Sequence, residues 1–137
     1  MVTAVDTSVL LDVLLNDPQQ AKTSLEALRH AVSEGSLVIC DIAIAELVPV
    51  LPLGALPQFL NDFKLQFLPC TQKVSQIAGE MYAQYIRRGG KRGRVVPDFL
   101  IAAHAQELAD RLLARDRGYY RDYFGKLTLW DPSGQSP

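Results

Sequence analysis

Residues 2–8 read Val2-Thr3-Ala4-Val5-Asp6-Thr7-Ser8. The first four residues form a short apolar run typical of a buried strand, and the hydroxyl residues after the aspartate are typical of a helix start. Asp6 is therefore either the N-cap of that helix or a carboxylate presented at the end of the strand. Ligands of open α/β sheets bind beyond the carboxyl ends of the strands, so the second interpretation makes Asp6 a candidate site residue.

The same alternation of short apolar runs and helical periodicity continues along the chain. It predicts five strands, at 2–5, 37–40, 65–68, 111–115 and 127–130. It also predicts six helices, at 7–15, 18–34, 42–51, 57–63, 72–88 and 97–110. Strands joined by helical crossovers form a parallel sheet covered on both faces, so we expect an α/β protein, a three-layer α/β/α sandwich around a five-stranded sheet.

The composition is that of one globular domain. The chain has 137 residues, of which 48% are hydrophobic and 21% charged. We expect a single domain over 1–131 and a flexible C-terminal tail over 132–137. The apolar stretch 37–56 contains two carboxylates and two prolines, which argues against a membrane span. No secretion signal is recognisable, and a cytoplasmic location is expected.

Four acidic residues fall at the predicted carboxyl edge of the sheet: Asp6, Glu46, Asp98 and Asp116. Each has a structural alternative: an N-cap for Asp6, a first-turn acid for Asp98 and a turn residue for Asp116. The alternative for Glu46 is a buried ion pair, because its helix is apolar on nearly every face.

Four carboxylates at one edge need a compensating charge. Two of them ~4 Å apart repel by about 4 kcal/mol at an effective dielectric near 20. Oxygen ligands without histidine or cysteine suit Mg²⁺ or Mn²⁺ better than zinc. Such an ion activates a water and neutralises charge on a phosphodiester, so hydrolysis of phosphodiester bonds is the chemistry that this pattern favours.

Four blocks in this order resemble the PIN domain family, and within it the VapC-type toxin ribonucleases of bacterial toxin–antitoxin pairs: 5–12, 44–47, 97–105 and 112–120. The resemblance implies a mostly parallel sheet, Mg²⁺-dependent endoribonuclease activity on RNA, homodimers, and neutralisation by a cognate antitoxin.

Carried over by position, the resemblance assigns catalysis and metal binding to the same four acids. Asp6 and Asp98 match the principal metal ligands, Glu46 the acid that binds metal or orients water, and Asp116 the fourth acid. Thr7 or Ser8 matches a supporting hydroxyl; otherwise these residues only begin a helix. Ala114 departs from the pattern, because many family members have Thr or Ser two residues before the last acid.

Basic residues are concentrated late in the chain. Residues 1–86 carry four basic against nine acidic side chains, whereas 87–137 carry ten against six. The segment 87–94 holds five basic residues, so it is either a solvated mobile loop or a path for a phosphate backbone. The candidates for RNA binding are Lys91, Arg92, Arg94, Arg115 and Arg117.

Other features carry weaker predictions. His104 and the aromatic residues 119–124 are expected to pack in the core. Cys40 and Cys70 are expected to pack as small hydrophobic residues without a function. The apolar residues between 44 and 60 exceed what one helix face needs, which predicts a groove for an antitoxin segment or a dimer contact.

Two competing functions remain open. A catalytically weak RNA-binding or regulatory module with the PIN fold would be indicated by loss of an acid, and no acid is lost. A phosphoryl-transfer protein of receiver or haloacid-dehalogenase type also places acids at the edge of a sheet. That class needs an Asp-x-Asp pair and a late lysine, whereas Asp6 is followed by Thr7 and Ser8 and the last strand region offers only Lys126.

Overall fold

A computed structural model describes residues 1–93, 95–115 and 118–134. Within them lie the five predicted strands: β1 (Val2–Val5), β2 (Ser36–Ile39), β3 (Leu65–Phe67), β4 (Arg111–Leu113) and β5 (Leu129–Trp130). The helices are α1 (Thr7–Leu14), α2 (Ala21–Glu34), α3 (Asp41–Leu47), α4 (Leu56–Asp62), α5 (Gln72–Arg87), α6 (Val96–Leu108) and α7 (Tyr119–Tyr123). A 3₁₀ turn, Val48–Val50, follows α3.

The strands form one sheet in the order β3-β2-β1-β4-β5. All four neighbouring pairs are parallel, so the described sheet is fully parallel and flanked by helices, as the α/β sandwich prediction requires. The mixed pairing that the family resemblance allowed is absent from these strands. β1 lies at the centre, paired with β2 through Thr3 and Leu37 and with β4 through Thr3 and Arg111.

Two predicted helices differ from the structure by more than two residues at one end, and one short helix was not predicted. α2 begins at Ala21 because residues 18–20 form a turn, in which Asp17 accepts the backbone N–H groups of Gln19 and Gln20. The predicted helix 42–51 ends as α-helix at Leu47, ahead of Pro49. α7 was not predicted as a helix, although the spacing of its aromatic residues is helical.

The core is built around β1 and α6. Phe99 is fully buried, and its ring packs edge-on against Tyr85, Tyr119 and Phe124. This packing confirms the structural interpretation of the aromatic residues after position 118.

His104 is also a core residue. Its side chain is 1% exposed, its Nε2 lies 2.7 Å from the carbonyl oxygen of Leu68, and burial lowers its pKa. The expectation of a packed histidine is therefore confirmed.

The described part of the predicted tail is folded into a turn. Asp131 accepts the backbone N–H and the hydroxyl of Ser133, and Pro132 is buried. Residues 135–137 lie outside the described residues. Among the residues that the structure describes, no helix combines the length and apolar content needed to cross a bilayer.

The backbone at Gly35 passes close to Met1, next to the first paired residues of β1 and β2. A Cβ at this position would lie 1.9 Å from the carbonyl oxygen of Met1, which accepts the backbone N–H of Ser36. Gly35→Ala should therefore lower the free energy of unfolding by about 1–3 kcal/mol. The control is Gly79→Ala, in α5, where a Cβ meets nothing within 4 Å and a gain of up to about 1 kcal/mol is expected. Urea denaturation of both variants checks this, and equal effects would contradict it.

Candidate functional site

Asp6 follows the central strand directly and is 3% exposed. Its backbone N–H donates to the carbonyl oxygen of Leu113 at 2.9 Å, which ties it to the end of β4. Its Oδ2 accepts the backbone N–H and the hydroxyl of Ser8. Asp6 is thus both the N-cap of α1 and a carboxylate at the sheet edge, because the helix starts at this edge.

Glu46 reaches the same edge from α3, the helix that leaves β2 next to β1. Its side chain is exposed, and its Oε1 accepts the hydroxyl of Thr7 at 2.8 Å. The buried ion pair considered for Glu46 is therefore wrong: the residue stands at the solvent-facing rim, held by a hydroxyl. Thr7 and Ser8 each donate to a different acid, so one dipeptide orients two carboxylates.

Asp98 lies in the first turn of α6 and is half-buried. It completes one wall of a cavity of about 270 Å³, lined by Asp6, Thr7, Ser8, Leu11, Glu46 and Asp98. Three acids from three separate elements thus face one cavity. Apart from Leu11, the described lining residues offer carboxylate and hydroxyl oxygens, which are the ligands of hard divalent cations.

Among the described residues, one group of three metal-ligating side chains has its ligand atoms within 4.8 Å of one another, and it consists of Cys40, Asp41 and Cys70. This group lies outside the acidic cavity. Mg²⁺ in the acidic cavity would keep several of its own water ligands, as is usual for this ion.

Three residues predicted for the site or for RNA binding lie outside the described residues: Arg94, Asp116 and Arg117. Lys91 and Arg92 are exposed. Just before them, α5 ends with Arg88 stacked over the ring of Tyr123, 5.0 Å from its centroid.

Arg115, also predicted to bind RNA, has a structural partner instead. Its Nη2 lies 2.8 Å from Oδ1 of Asp12, which is 2% exposed, and Oδ2 of Asp12 accepts the hydroxyl of Ser24 at 2.8 Å. The backbone N–H of Arg115 donates to Ser8 Oγ at 3.4 Å. Sequence reasoning missed Asp12, although an aspartate inside the otherwise apolar helix α1 is a signal for a buried polar contact.

The comparisons with known proteins fit this geometry. Residues 3–124 match the family model described as PIN domain. The chain belongs to the PIN domain family. PIN domains are in general nucleases, and those nucleases typically use divalent metals. No curated protein matches the sequence.

Solved structures show that this PIN domain shares its fold with proteins of several bacteria. VapBC2 from Rickettsia felis, bound to a DNA fragment from its promoter, has 24% identity and a TM-score of 0.69, over 96% of this chain and 100% of that chain. DNA-bound VapBC from Salmonella typhimurium has 19% identity and a TM-score of 0.70, over 96% and 98%. A toxin-antitoxin complex from Klebsiella pneumoniae has 17% identity and a TM-score of 0.61, over 95% and 97%.

The Asp12–Arg115 pair should stabilise this PIN domain. Arg115→Met leaves the buried carboxylate of Asp12 without its cation, and Asp12→Asn removes the anion that Arg115 contacts, so each should lower the free energy of unfolding by about 1–3 kcal/mol. The double variant should lose less than the sum, with a coupling energy of about 1 kcal/mol or more. Denaturant unfolding of all four proteins measures this coupling. Additive losses would show that the contact does not stabilise the domain.

Proposed function

We propose that this PIN domain is a Mg²⁺-dependent endoribonuclease of VapC type, a toxin that hydrolyses RNA phosphodiester bonds with a metal-activated water. The observation that carries this proposal is the cavity at the sheet edge, where Asp6, Glu46 and Asp98 meet with two orienting hydroxyls. Family membership supports the nuclease class.

The residues present fit a hard divalent cation, Mg²⁺ with Mn²⁺ as a substitute. Asp6 and Asp98 would hold the ion, and Glu46 would hold it or orient a water. Asp116, matched by the family resemblance, would be the fourth acid. When bound, the ion lowers the pKa of a coordinated water and offsets charge on the phosphodiester.

The chain's own residues prepare this chemistry. Ser8 donates to Oδ2 of Asp6 through both its backbone N–H and its hydroxyl, which fixes the orientation of that carboxylate. Thr7 holds Glu46 through its hydroxyl alone. Because Thr7 and Ser8 belong to the first turn of α1, the hydroxyls that orient the two acids are positioned by a helix start.

RNA would approach along the basic segment before α6. Lys91 and Arg92 are exposed and precede the helix that carries Asp98, so their charges are available to a phosphate backbone. Arg94 and Arg117 belong to the same proposal by sequence position. Arg115 would contribute less, because its guanidinium already contacts Asp12.

A cognate antitoxin would cover the apolar surface after α3. Val48, Val50 and Leu53 are all at least 40% exposed, and Leu51, Pro52 and Leu56 help to line the small groove beside them. One structural neighbour is a toxin-antitoxin complex, which supports a protein partner for this chain. A homodimer contact is the other occupant that this surface suits. We place the protein in the cytoplasm, where RNA is available.

The alternative is a catalytically weak RNA-binding or regulatory module with the PIN fold. The two functions differ in one result: the alternative predicts RNA binding without metal-dependent cleavage by the unmodified chain.

Removal of either principal acid should abolish cleavage without unfolding the protein. Asp6→Asn and Asp98→Asn are expected to reduce Mg²⁺-dependent RNA cleavage by at least about 100-fold, and Thr7→Val by about 10-fold. Cleavage of a fluorescent RNA panel, with circular dichroism as the folding check, measures this effect. Asp62→Asn, an exposed acid on α4, is the matched control. Undiminished cleavage by either acid variant would refute the assigned roles.

The basic segment should set the salt dependence of RNA binding. The double variant Lys91→Ala and Arg92→Ala should reduce the slope of log K against log salt by about 1.4, because each phosphate contact to a single strand contributes about 0.7. Binding is measured with Asp98→Asn to prevent cleavage. The charge-matched control replaces Lys22 and Arg29, both exposed on α2. A slope equal to that control would remove this segment from the RNA path.

A further inference from the structure

Two cysteines and an aspartate meet where β2 and β3 end. Cys40 directly follows β2 and precedes α3, Asp41 opens α3, and Cys70 lies three residues beyond the end of β3. None of the three lines the acidic cavity. Cys70 follows Asp41 by 29 residues, and the parallel pairing of β2 and β3 brings the two together.

Their ligand atoms form a compact group. The two Sγ atoms and a carboxylate oxygen of Asp41 all lie within 4.8 Å of one another. Two sulfur ligands of one tetrahedral zinc ion are roughly 3.8 Å apart, given Zn–S bonds of about 2.3 Å, so the spacing is within reach of small side-chain rotations. Cys40 is buried, Cys70 is half-buried and Asp41 is exposed, which leaves one side open to water.

The backbone around the group is held in place. The N–H of Cys70 donates to Oδ1 of Asp41 at 3.1 Å, and the N–H of Leu68 donates to the carbonyl oxygen of Ile39 at 2.9 Å. That Leu68 residue is fixed in turn by His104, whose Nε2 lies 2.7 Å from its carbonyl oxygen. A ligand set on such supported segments loses little entropy when it binds an ion.

We propose that Cys40, Asp41 and Cys70 bind one Zn²⁺ ion, with water as the fourth ligand. Two thiolates and one carboxylate suit borderline-soft zinc and not Mg²⁺, so this site is chemically distinct from the acidic cavity. Zn²⁺ here would join the end of β3 to the first residue of α3, the helix that also carries Glu46. We assign it a structural role, because none of Cys40, Asp41 and Cys70 lines the acidic cavity.

Binding releases protons in a defined way. Burial raises the pKa of both thiols, so each is protonated in the metal-free protein at neutral pH. Zn²⁺ must displace one proton from each sulfur to solvent, and no electron is transferred.

The test is a titration of the reduced full chain with Co²⁺, a spectroscopic substitute for zinc. We expect a thiolate-to-metal charge-transfer band that saturates at one equivalent and disappears when Zn²⁺ displaces Co²⁺. Zn²⁺ should also raise the Tm by at least about 4 °C at saturation, because the folded state binds it more tightly than the unfolded chain. Cys70→Ser and the exposed Asp41→Asn should each weaken Zn²⁺ affinity by at least about 10-fold.

Two controls separate this site from the acidic cavity. Asp62→Asn should leave the Co²⁺ band unchanged, and Asp6→Asn should remove RNA cleavage while the band persists. Absence of the band, or its persistence in Cys70→Ser, would overturn the proposal. A mass lower by two hydrogens, with a Cys40–Cys70 disulfide and no metal uptake after reduction, would overturn it in favour of a redox pair.

Discussion

A buried carboxylate at the end of the central strand constrains much of this protein. An ionised side chain out of water costs several kcal/mol unless hydrogen bonds compensate it. Asp6 obtains them from Ser8, at a helix N-terminus where the aligned peptide dipoles also favour negative charge. The start of α1 is thereby fixed against the edge of the sheet. Thr7 then donates to Glu46 on the neighbouring helix, so one helix cap orients two of the three described acids of the cavity.

A second buried carboxylate, that of Asp12, belongs to the same polar network as Asp6. Asp12 lies further along α1 and joins Ser24 of α2 to Arg115, the residue after Ala114 at the end of β4. The backbone N–H of Arg115 returns to Ser8, so the two acids of α1 belong to one polar network. This network explains why Arg115 lies beside the site: it pairs with Asp12, a role that is independent of RNA binding.

The sequence allowed the strands to be placed to within two residues, because each is a short apolar run between helical segments. It also brought Asp6, Glu46 and Asp98 to one edge, since parallel strands present their carboxyl ends together. Contacts between side chains that are far apart in the sequence could not be predicted. Nothing in the local pattern links Asp12 to Arg115, or Cys40 to Cys70, because those pairs arise from strand order. The five-residue helix α7 was missed because about one and a half turns are too few for periodicity to separate a helix from a loop.

The central position of β1 has a consequence for the timing of assembly during translation. β1 pairs with β4, so Thr3 cannot pair with Arg111 until Arg111 has been synthesised. At about 5–20 residues per second, a ribosome needs roughly 5–20 s to add the intervening hundred or so residues. Until then the N-terminal segment lacks one neighbour, and before residue 98 is added Asp6 also lacks Asp98. A nascent chain of this topology therefore carries no complete acidic cavity for most of its synthesis. Any activity of that cavity would begin only after most of the chain has been made.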